Sequence, residues 1–483
     1  MRAYAIVTAA MLAIAPVRES IAHEPDRAQT VAAQQEAFRA AGHWIEQRRQ
    51  YRRIPGISVA VQQGQDTIWS TGFGTTDRAG ERPATGDTIY SICSISKLFT
   101  AIALMQLWEE DRVQLDAPIT RYLPWATLAE DERDSVPVTL RGALTHSAGL
   151  PREAAFPYWT APDYVFPSQA EVRERIGSQA ALYPASTTFQ YSNLGLTLVG
   201  ETVAAVSGQP FGDYVTTRII APLGLDDTQP AIPAAAWDGA MAAGWGALDA
   251  DGTRPEVALF DPAGITPAAG FSSTANDLAR FAGWTFRLQH SGTAEVLRAS
   301  TLNEMQRVHY VSPDWDTAWG LGFAVMRRDG GNMVGHGGSC PGYRTSLTLD
   351  PGEELGIAVL MNAMDDPAFI GQAIDGLLGA REGAEIYAIP DGVMLGDYTG
   401  TYDGQPWGAR FELLEWAGGL MFLDHDAGLP ADGLTRLRPE GGDTFRVIAP
   451  GGEAREPVVF RRDDAGRVAA MERFDNFYPR IGD

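Results

Sequence analysis

The sequence predicts an α/β protein: an antiparallel sheet flanked by helices, followed by a small all-β barrel. Two observations support the sheet domain: strand patterns run through residues 320–361, and a helical pattern follows at 367–379. A third observation supports the barrel: in residues 389–483, short aromatic and β-branched segments alternate with Gly or Asp turns. A chain of 483 residues is long enough for two or three such domains.

The first residues resemble a signal for export. Arg2 precedes a mostly apolar stretch at 3–17, and Ser20-Ile21-Ala22 supplies small residues for cleavage. We therefore predict a signal peptide at residues 1–22 and an exported protein, periplasmic or secreted; a disordered or membrane-anchoring N-terminus is the alternative. No later stretch reaches the ~20 apolar residues that a membrane span needs.

Composition excludes several classes of partner. The net charge of −23, with no basic cluster to offset it, predicts no binding to nucleic acid or to an anionic membrane. The seven histidines are scattered without ligand spacing, so we predict no metal site and no cofactor. The expected partner is a small-molecule or peptide substrate.

The elements follow in order along the chain. An amphipathic helix is predicted at 31–51 and a hairpin at 57–61 and 67–71. An apolar helix follows Ser94, and further helices are predicted at 138–145, 194–206, 272–290 and 295–309. Strands are predicted at 320–326, 333–335, 345–349 and 356–361. The aromatic stretch 153–168 is predicted to be a loop, either a wall of a substrate site or a plainly packed surface loop.

Lys97 is the only lysine among thirty-eight basic residues, the others being arginine. Arginine stays protonated in proteins, whereas a desolvated lysine amine loses its proton. A single lysine at the head of an apolar helix therefore indicates a base. The alternative is a surface lysine.

Ser94 lies three positions before Lys97, which places both side chains on one face of a helix. If Ser94 occupies the first turn, unpaired N–H groups there favour developing negative charge. Hydroxyl, amine and helix end together predict an activated nucleophile. The alternative is an N-capping serine.

Two further motifs lie downstream. Tyr191 and Asn193 are two positions apart, so in an extended chain their side chains point to the same side. Tyr191 could then shuttle a proton, and Asn193 could offer its amide to the substrate. The alternative is that Asn193 is a helix N-cap. His336-Gly337-Gly338 places glycines where a ligand can approach backbone N–H groups closely. His336 is either a donor to substrate or a strand-edge histidine.

In this order, Ser94-x-x-Lys97, Tyr191-x-Asn193 and His336-Gly337-Gly338 resemble the motifs of the serine β-lactamase and penicillin-binding protein superfamily. The resemblance is greatest to its class C β-lactamase-like branch of esterases and D-aminopeptidases. It covers residues 31–380 and extends to the stretches 144–151, 221–225 and 270–278. It implies an antiparallel sheet flanked by helices, plus a helical subdomain that holds the tyrosine motif.

Carried over by position, the resemblance implies that Ser94 is the nucleophile and that Lys97 and Tyr191 jointly manage its proton. Asn193, His336, Gly337 and Gly338 would contact substrate. The backbone N–H groups of Ser94 and Ser339 would form the oxyanion hole. The resemblance also divides the chain into domains. It implies a serine hydrolase domain at 23–380, a linker at 381–388 and a lipocalin-like barrel at 389–483.

His336 departs from the lysine or arginine that lactamases and D-Ala-D-Ala carboxypeptidases usually carry there. A histidine is largely neutral at neutral pH and attracts a carboxylate less. This favours an esterase or peptidase over a β-lactamase or D-Ala-D-Ala carboxypeptidase, which remains the alternative. A β-lactam sensor or scaffold that acylates without turnover is the non-enzymatic alternative.

Cys93 and Cys340 have the offsets of a cysteine pair that is linked in class A carbapenemases, so the resemblance implies a disulfide between them. Two buried thiols are the alternative. For the barrel, three roles stay open: a lid, a stabilising appendage, or the contact of a homo-oligomer.

Overall fold

A computed structural model describes residues 27–129, 135–328, 330–406, 408–424 and 428–482. The predicted signal peptide at 1–22 lies outside these ranges. The helices are α1 (Arg27–Tyr51), α2 (Ser96–Glu109), α3 (Leu140–Leu144), α4 (Gln169–Arg175), α5 (Asn193–Ser207), α6 (Phe211–Val215), α7 (Thr266–Ala269), α8 (Ala275–Ser291), α9 (Ala299–Gln306) and α10 (Pro367–Glu382). Within the described ranges, none has the length and apolar character to cross a bilayer.

Strands form a main sheet, a short pair and a barrel. The first two comprise β1 (Gly56–Gln63), β2 (Asp66–Gly74), β3 (Tyr90–Cys93), β4 (Phe271–Ser273), β5 (Tyr310–Val311), β6 (Ala318–Trp319), β7 (Ala324–Arg328), β8 (Gly331–Cys340), β9 (Tyr343–Asp350) and β10 (Leu355–Met361). The barrel comprises β11 (Gly400–Tyr402), β12 (Phe411–Trp416), β13 (Gly419–Asp424), β14 (Arg436–Gly441), β15 (Thr444–Ile448), β16 (Ala454–Arg462), β17 (Val468–Arg473) and β18 (Asn476–Ile481).

The main sheet is antiparallel, with strand order β2-β1-β10-β9-β8-β7-β6-β5. Its two faces follow the alternation of side chains along each strand. Ile57, Val59 and Val61 of β1 join the core formed with α1 and α10, whereas Ala60 joins the opposite core with α2, α5 and α8. The predicted sheet flanked by helices is confirmed.

Helix α2 is the centre of the larger core, because every residue from Ser96 to Leu107 is buried. The expectation that Ser94 occupies its first turn is wrong by two residues. The helix begins at Ser96, and Ser94 lies in the preceding turn, where the Lys97 N–H donates to the Ser94 carbonyl at 3.0 Å. This tight turn follows Cys93, whose φ of 48° redirects the chain at the end of β3.

Two other helix starts differ from the sequence expectation. The segment predicted as helix from residue 272 opens with β4, which pairs with β3, and α8 begins only at Ala275 after the capping Thr274. The helix predicted at 295–309 is shorter, since α9 covers Ala299–Gln306. In the first case, pairing of β4 with the distant β3 overrides the local helical pattern.

The C-terminal strands close into an eight-stranded barrel, which confirms the predicted all-β architecture. The last barrel strand, β18, contains Pro479 and follows β17 after a two-residue turn. Trp416 and Met421 on the barrel exterior join the core beneath α1 and α10. The barrel therefore shares apolar packing with the main domain.

Candidate active site

Ser94 lies in the turn between β3 and α2, and neighbouring groups brace this turn. The Ser96 hydroxyl donates to the Cys93 carbonyl at 2.5 Å and accepts the Phe271 N–H at 3.0 Å. A non-glycine residue with positive φ, as at Cys93, costs of order 1–3 kcal/mol and persists only where its surroundings hold it. The turn is therefore a fixed support for the Ser94 side chain.

The Lys97 amine is fully buried and points at Ser94. Its Nζ lies 3.1 Å from Ser94 Oγ and donates to Asn193 Oδ1 and to the Ala268 carbonyl, both at 2.7 Å. Burial lowers the pKa of Lys97 well below its usual value, against the opposing charge of Glu153. A neutral amine has two N–H groups for the two carbonyl-type oxygens, which leaves its lone pair to face the serine hydroxyl.

Tyr191 completes this group from the other side of Ser94. Its ring centroid is 4.9 Å from Lys97 Nζ, and it lines the same cavity as Ser94. Burial raises the pKa of Tyr191 above its ordinary value, while the neighbouring Ser94 hydroxyl opposes this shift. The phenol is therefore protonated at neutral pH and able to pass a proton on.

His146, which the sequence analysis did not select, holds Tyr191 in place. The two rings contact each other with centroids 4.2 Å apart and planes tilted by 31°, and His146 Nδ1 accepts the Ser192 N–H at 3.1 Å. Burial lowers the pKa of His146 well below its usual value, so the ring is neutral. The only sequence signal for this role was its place in the stretch 144–151, which supported the family resemblance.

Asn193 begins α5, but Ser192 is the residue that caps it: the Ser192 hydroxyl accepts the Gly195 N–H at 2.9 Å. The alternative in which Asn193 is the N-cap is therefore wrong. Its side chain instead lies between Lys97 Nζ and Glu153, donating Nδ2–H to the two carboxylate oxygens at 2.8 and 3.0 Å. The predicted contact of Asn193 with substrate stays a prediction.

Glu153 is the second residue that sequence reasoning missed. It accepts hydrogen bonds from Asn193 and from the Tyr158 hydroxyl and lies 3.2 Å from Arg152 Nε. Because the carboxylate accepts both Nδ2–H bonds, it orients the amide so that Oδ1 faces Lys97. Nothing in its spacing indicated this, since it is the first residue of the loop at 153–168, which was notable only for its aromatic residues.

Those loop aromatics pack together and do not reach Ser94. Tyr158, Trp159 and Phe166 contact one another, and Phe166 stacks on Phe260. Of the two interpretations of residues 153–168, the packed loop is the one observed.

The third motif lies on β8 and comes close to Ser94. A Cβ at Gly338 would lie 2.4 Å from the Ile92 carbonyl and 2.0 Å from Thr345 Oγ1, so only glycine allows β8 to approach β3 this closely. The disulfide expected from the resemblance, Cys93–Cys340, joins the same two strands. Ser339, which directly precedes Cys340, lines a cavity together with Ser94.

His336 is buried and neutral. Its Nδ1–H donates to the Gly337 carbonyl at 2.6 Å, which leaves Nε2 as an acceptor. Burial lowers the pKa of His336 to about 3. Within the described residues, Nε2 is buried and has no hydrogen-bond partner. The ring contacts Tyr191 and Trp319, with centroids 6.2 and 5.5 Å away.

A cavity of about 470 Å³ opens beside these groups. Ser94, Tyr191, His336, Gly337, Gly338 and Ser339 all line it, so the structure brings these predicted residues together. Lys97 and Asn193 lie behind Ser94. The remaining lining residues are Arg152, Phe189, Thr317, Trp319, Ala324, Arg344, Thr345, Ser346, Asp366, Pro367 and Ala368. All of them precede the barrel.

This arrangement defines a class of protein: an α/β protein with a serine, a buried amine and a tyrosine converging at one cavity. The Beta-lactamase family matches residues 42–380. The chain belongs to the β-lactamase family, whose fold is shared by serine hydrolases.

Three comparisons illustrate the relationship. An unguisins hydrolase from Aspergillus campestris is 28% identical over 320 residues, or 64% of this chain and 58% of that protein. The chain thus spans little more than half of this relative. The structure of a D-stereospecific amidohydrolase from Streptomyces sp. is 25% identical, with a TM-score of 0.56 over 72% of this chain and 98% of the other. An octameric penicillin-binding protein homologue from Pyrococcus abyssi is 24% identical, with a TM-score of 0.62 over 91% of this chain and 98% of the other; its likeness concerns the fold.

Proposed function

We propose that this protein is a serine hydrolase that forms an acyl-enzyme on Ser94 and cleaves an ester or an amide, including a peptide bond. The observation that carries the proposal is the 3.1 Å distance between Ser94 Oγ and the fully buried, neutral amine of Lys97. An uncharged amine at this distance is a base for the hydroxyl proton. The amidohydrolase and hydrolase named among the similar proteins support the same class.

In the proposed reaction, Ser94 Oγ attacks the substrate carbonyl carbon while its proton passes to the Lys97 and Tyr191 pair. The same pair then delivers a proton to the departing alcohol or amine as its bond to the carbonyl carbon breaks. Water attacks the acyl ester next, releasing the acid and restoring the serine hydroxyl. We assign the proton transfers to the pair jointly.

The negative oxygen of each tetrahedral intermediate would bind to the backbone N–H groups of Ser94 and Ser339. Support comes from their position at one cavity and from the Cys93–Cys340 disulfide, which ties the end of β3, just before Ser94, to β8, which carries Ser339. Removing one such donor typically costs ~10²–10³ in rate. Asn193 and the glycines at 337 and 338 are proposed to lie along the bound substrate.

The burial of His336 favours esters and amides over β-lactams. A pKa of about 3 leaves this histidine uncharged at neutral pH, so it lacks the positive charge that usually attracts a β-lactam carboxylate at this position. Hydrolysis of β-lactams or of D-Ala-D-Ala peptides remains the alternative. A neutral Nε2 would instead accept a hydrogen bond, either from the substrate or from a group that moves when the substrate binds.

The test is turnover of p-nitrophenyl esters, D-aminoacyl anilides and nitrocefin by the wild type, by Ser94→Ala and by the surface control Ser178→Ala. We expect steady ester hydrolysis that is lost in Ser94→Ala and kept in the control. A single burst without turnover would support an acylating sensor instead. Efficient nitrocefin hydrolysis would contradict the role given to His336.

We also propose that the protein works outside the cytosol. The pattern at residues 1–22 supports export, and a disulfide such as Cys93–Cys340 persists in oxidising compartments. N-terminal sequencing of the protein recovered from the periplasm or the medium of expressing cells tests this. Recovery solely from the cytosol with an intact N-terminus would contradict it.

A further inference from the structure

His146 lies in the turn that follows α3, and its backbone is strained. Its φ is 56°, in the left-handed region that costs a non-glycine residue of order 1–3 kcal/mol. The residue is 1% exposed, and the N–H of the next residue, Ser147, donates to the Gly142 carbonyl at 2.9 Å. Such a conformation persists only where its surroundings hold it, so the contacts of His146 indicate what the strained turn supports.

Two acceptors of His146 hold the backbone on both sides of Tyr191. The His146 carbonyl accepts the Gln190 N–H at 2.7 Å, and the ring Nδ1 accepts the Ser192 N–H at 3.1 Å. A single residue therefore binds the N–H groups of the residues directly before and directly after Tyr191. These two bonds fix the backbone from which the phenol extends.

The imidazole also restricts the side chain of Tyr191. The centroids of these two rings are 4.2 Å apart, and the imidazole makes a T-shaped contact with Trp319 as well, with centroids 4.9 Å apart. The Lys97 amine lies 4.9 Å from the centroid of the same tyrosine ring. Tyr191 therefore packs against both the imidazole and the amine with which it is proposed to share the Ser94 proton.

His146 can affect the reaction only through its neighbours. Among the described residues, it neither lines the cavity beside Ser94 nor hydrogen-bonds to Ser94 or Lys97. Burial keeps its pKa well below the usual value, so the ring is neutral and Nδ1 keeps the lone pair that the Ser192 N–H requires. The arrangement therefore fits a role in positioning rather than in proton transfer.

We propose that His146 is a positioning residue for Tyr191: its Nδ1 acceptor and its ring hold the phenol where it exchanges a proton with Ser94, so His146 governs kcat without touching the substrate. This inference rests on the proposed hydrolase function and deepens it, because it names a residue on which the proton transfer depends. A displacement of about 1 Å in a reacting group can cost roughly 10²-fold in rate. The imidazole itself takes no proton in any step.

Three substitutions separate the acceptor, the ring and the backbone strain. His146→Phe keeps an aromatic ring and loses the acceptor, whereas His146→Asn tolerates the left-handed φ and offers Oδ1 in place of Nδ1. His146→Gly carries no strain and has neither group. In the ester assay, kcat should fall roughly 10- to 100-fold for His146→Phe and His146→Gly, with little change in KM, and should fall less for His146→Asn. His290→Phe, whose side chain is 82% exposed on α8, should behave as the wild type.

A double-mutant cycle with Tyr191→Phe tests whether the effect passes through the phenol. Once the hydroxyl is removed its position no longer matters, so His146→Phe should lower kcat far less in the Tyr191→Phe background than in the wild type. Equal losses in the two backgrounds would mean a general structural role and would overturn the proposal. A wild-type kcat in His146→Phe would overturn it too, as would a His146→Asn no more active than His146→Gly. Where circular dichroism shows His146→Phe to be unfolded, His146→Asn and His146→Gly in the same cycle decide.

The proposed function is tested separately, because it depends on whether the wild type hydrolyses the esters and whether Ser94 is required. Absence of ester hydrolysis by the wild type would overturn both proposals. Equal losses of kcat in the two backgrounds of the cycle would overturn the role of His146 alone.

Discussion

Removing the Cys93–Cys340 disulfide should lower the unfolding free energy by an amount that follows from the length of the loop it closes. The bond joins residues 247 positions apart. A cross-link over so long a loop removes about 5 kcal/mol of conformational entropy from the unfolded chain in the simplest model, and measured disulfides typically contribute ~2–4 kcal/mol. We therefore expect the double variant Cys93→Ser with Cys340→Ser to lose about 2–5 kcal/mol of unfolding free energy.

The same substitution should also affect catalysis, for a geometric reason. Cys93 holds the positive φ before Ser94, and Cys340 follows Ser339, so the bond fixes the spacing of the two proposed oxyanion donors. Loosening that spacing weakens a contact that matters most in the transition state, so kcat should fall more than KM changes. A merely stabilising cross-link would leave kcat unchanged at temperatures where the variant is folded.

The assay is urea unfolding followed by tryptophan fluorescence, together with ester kinetics well below the unfolding midpoint. The oxidised and the dithiothreitol-reduced wild type provide a matched pair without mutation, and reduction should reproduce the losses seen in the double variant. Equal unfolding free energies for the oxidised and reduced protein would refute the stability argument. An unchanged kcat in a folded, reduced protein would refute the link to the oxyanion donors.

The remaining predictions concern the groups around the nucleophile. Lys97→Arg replaces the neutral base with a permanent cation, so kcat/KM should fall ~10²–10⁴-fold in the ester assay. The pH profile of kcat/KM should have an acid limb where the Lys97 amine becomes protonated, and burial places that limb well below the usual lysine range. Glu153→Gln removes a charge that favours the protonated amine, so the limb should move to lower pH, whereas the exposed Glu174→Gln should leave it in place. Gly338→Ala should cost about 1–3 kcal/mol of stability and most of the activity, because its Cβ meets neighbouring backbone, while Gly331→Ala on the same strand meets open space.

Each of these predictions has an outcome that would contradict it. Substantial turnover by Lys97→Arg would mean that the amine is not the base. A shift of the acid limb to higher pH in Glu153→Gln would reverse the sign expected from its charge. Equal effects of the alanines at 338 and 331 would mean that the close approach of β8 to β3 does not matter.

The local pattern of apolar and polar residues was enough to predict the helices and strands whose sequences are strongly periodic. The hairpin of β1 and β2, the buried α2 and most barrel strands follow from side-chain alternation and turn residues. The pairing of Val59 with Val359 does not, because register between strands so far apart depends on the packed core. The start of α8 was misplaced for a related reason, since β4 exists only by pairing with β3.

The contacts of the candidate site also divide into those that local spacing predicts and those that depend on the folded chain. The contact between Ser94 and Lys97 is local, and a spacing of three residues was sufficient to predict it. Tyr191 and His336 were selected from their own motifs, but only the family resemblance placed them beside Ser94, because nothing local indicates that they converge there. Glu153 was not foreseen at all, since its role arises from hydrogen bonds to Asn193 that only the folded chain provides.

The central claim is that Ser94 carries the acyl group during turnover. Rapid quenching of the reaction with a p-nitrophenyl ester, followed by peptide mass spectrometry, measures this directly. The account predicts one added acyl mass on the peptide that contains Ser94 in the wild type and none in Ser94→Ala. An acyl group on a different residue, or undiminished turnover by Ser94→Ala, would contradict it.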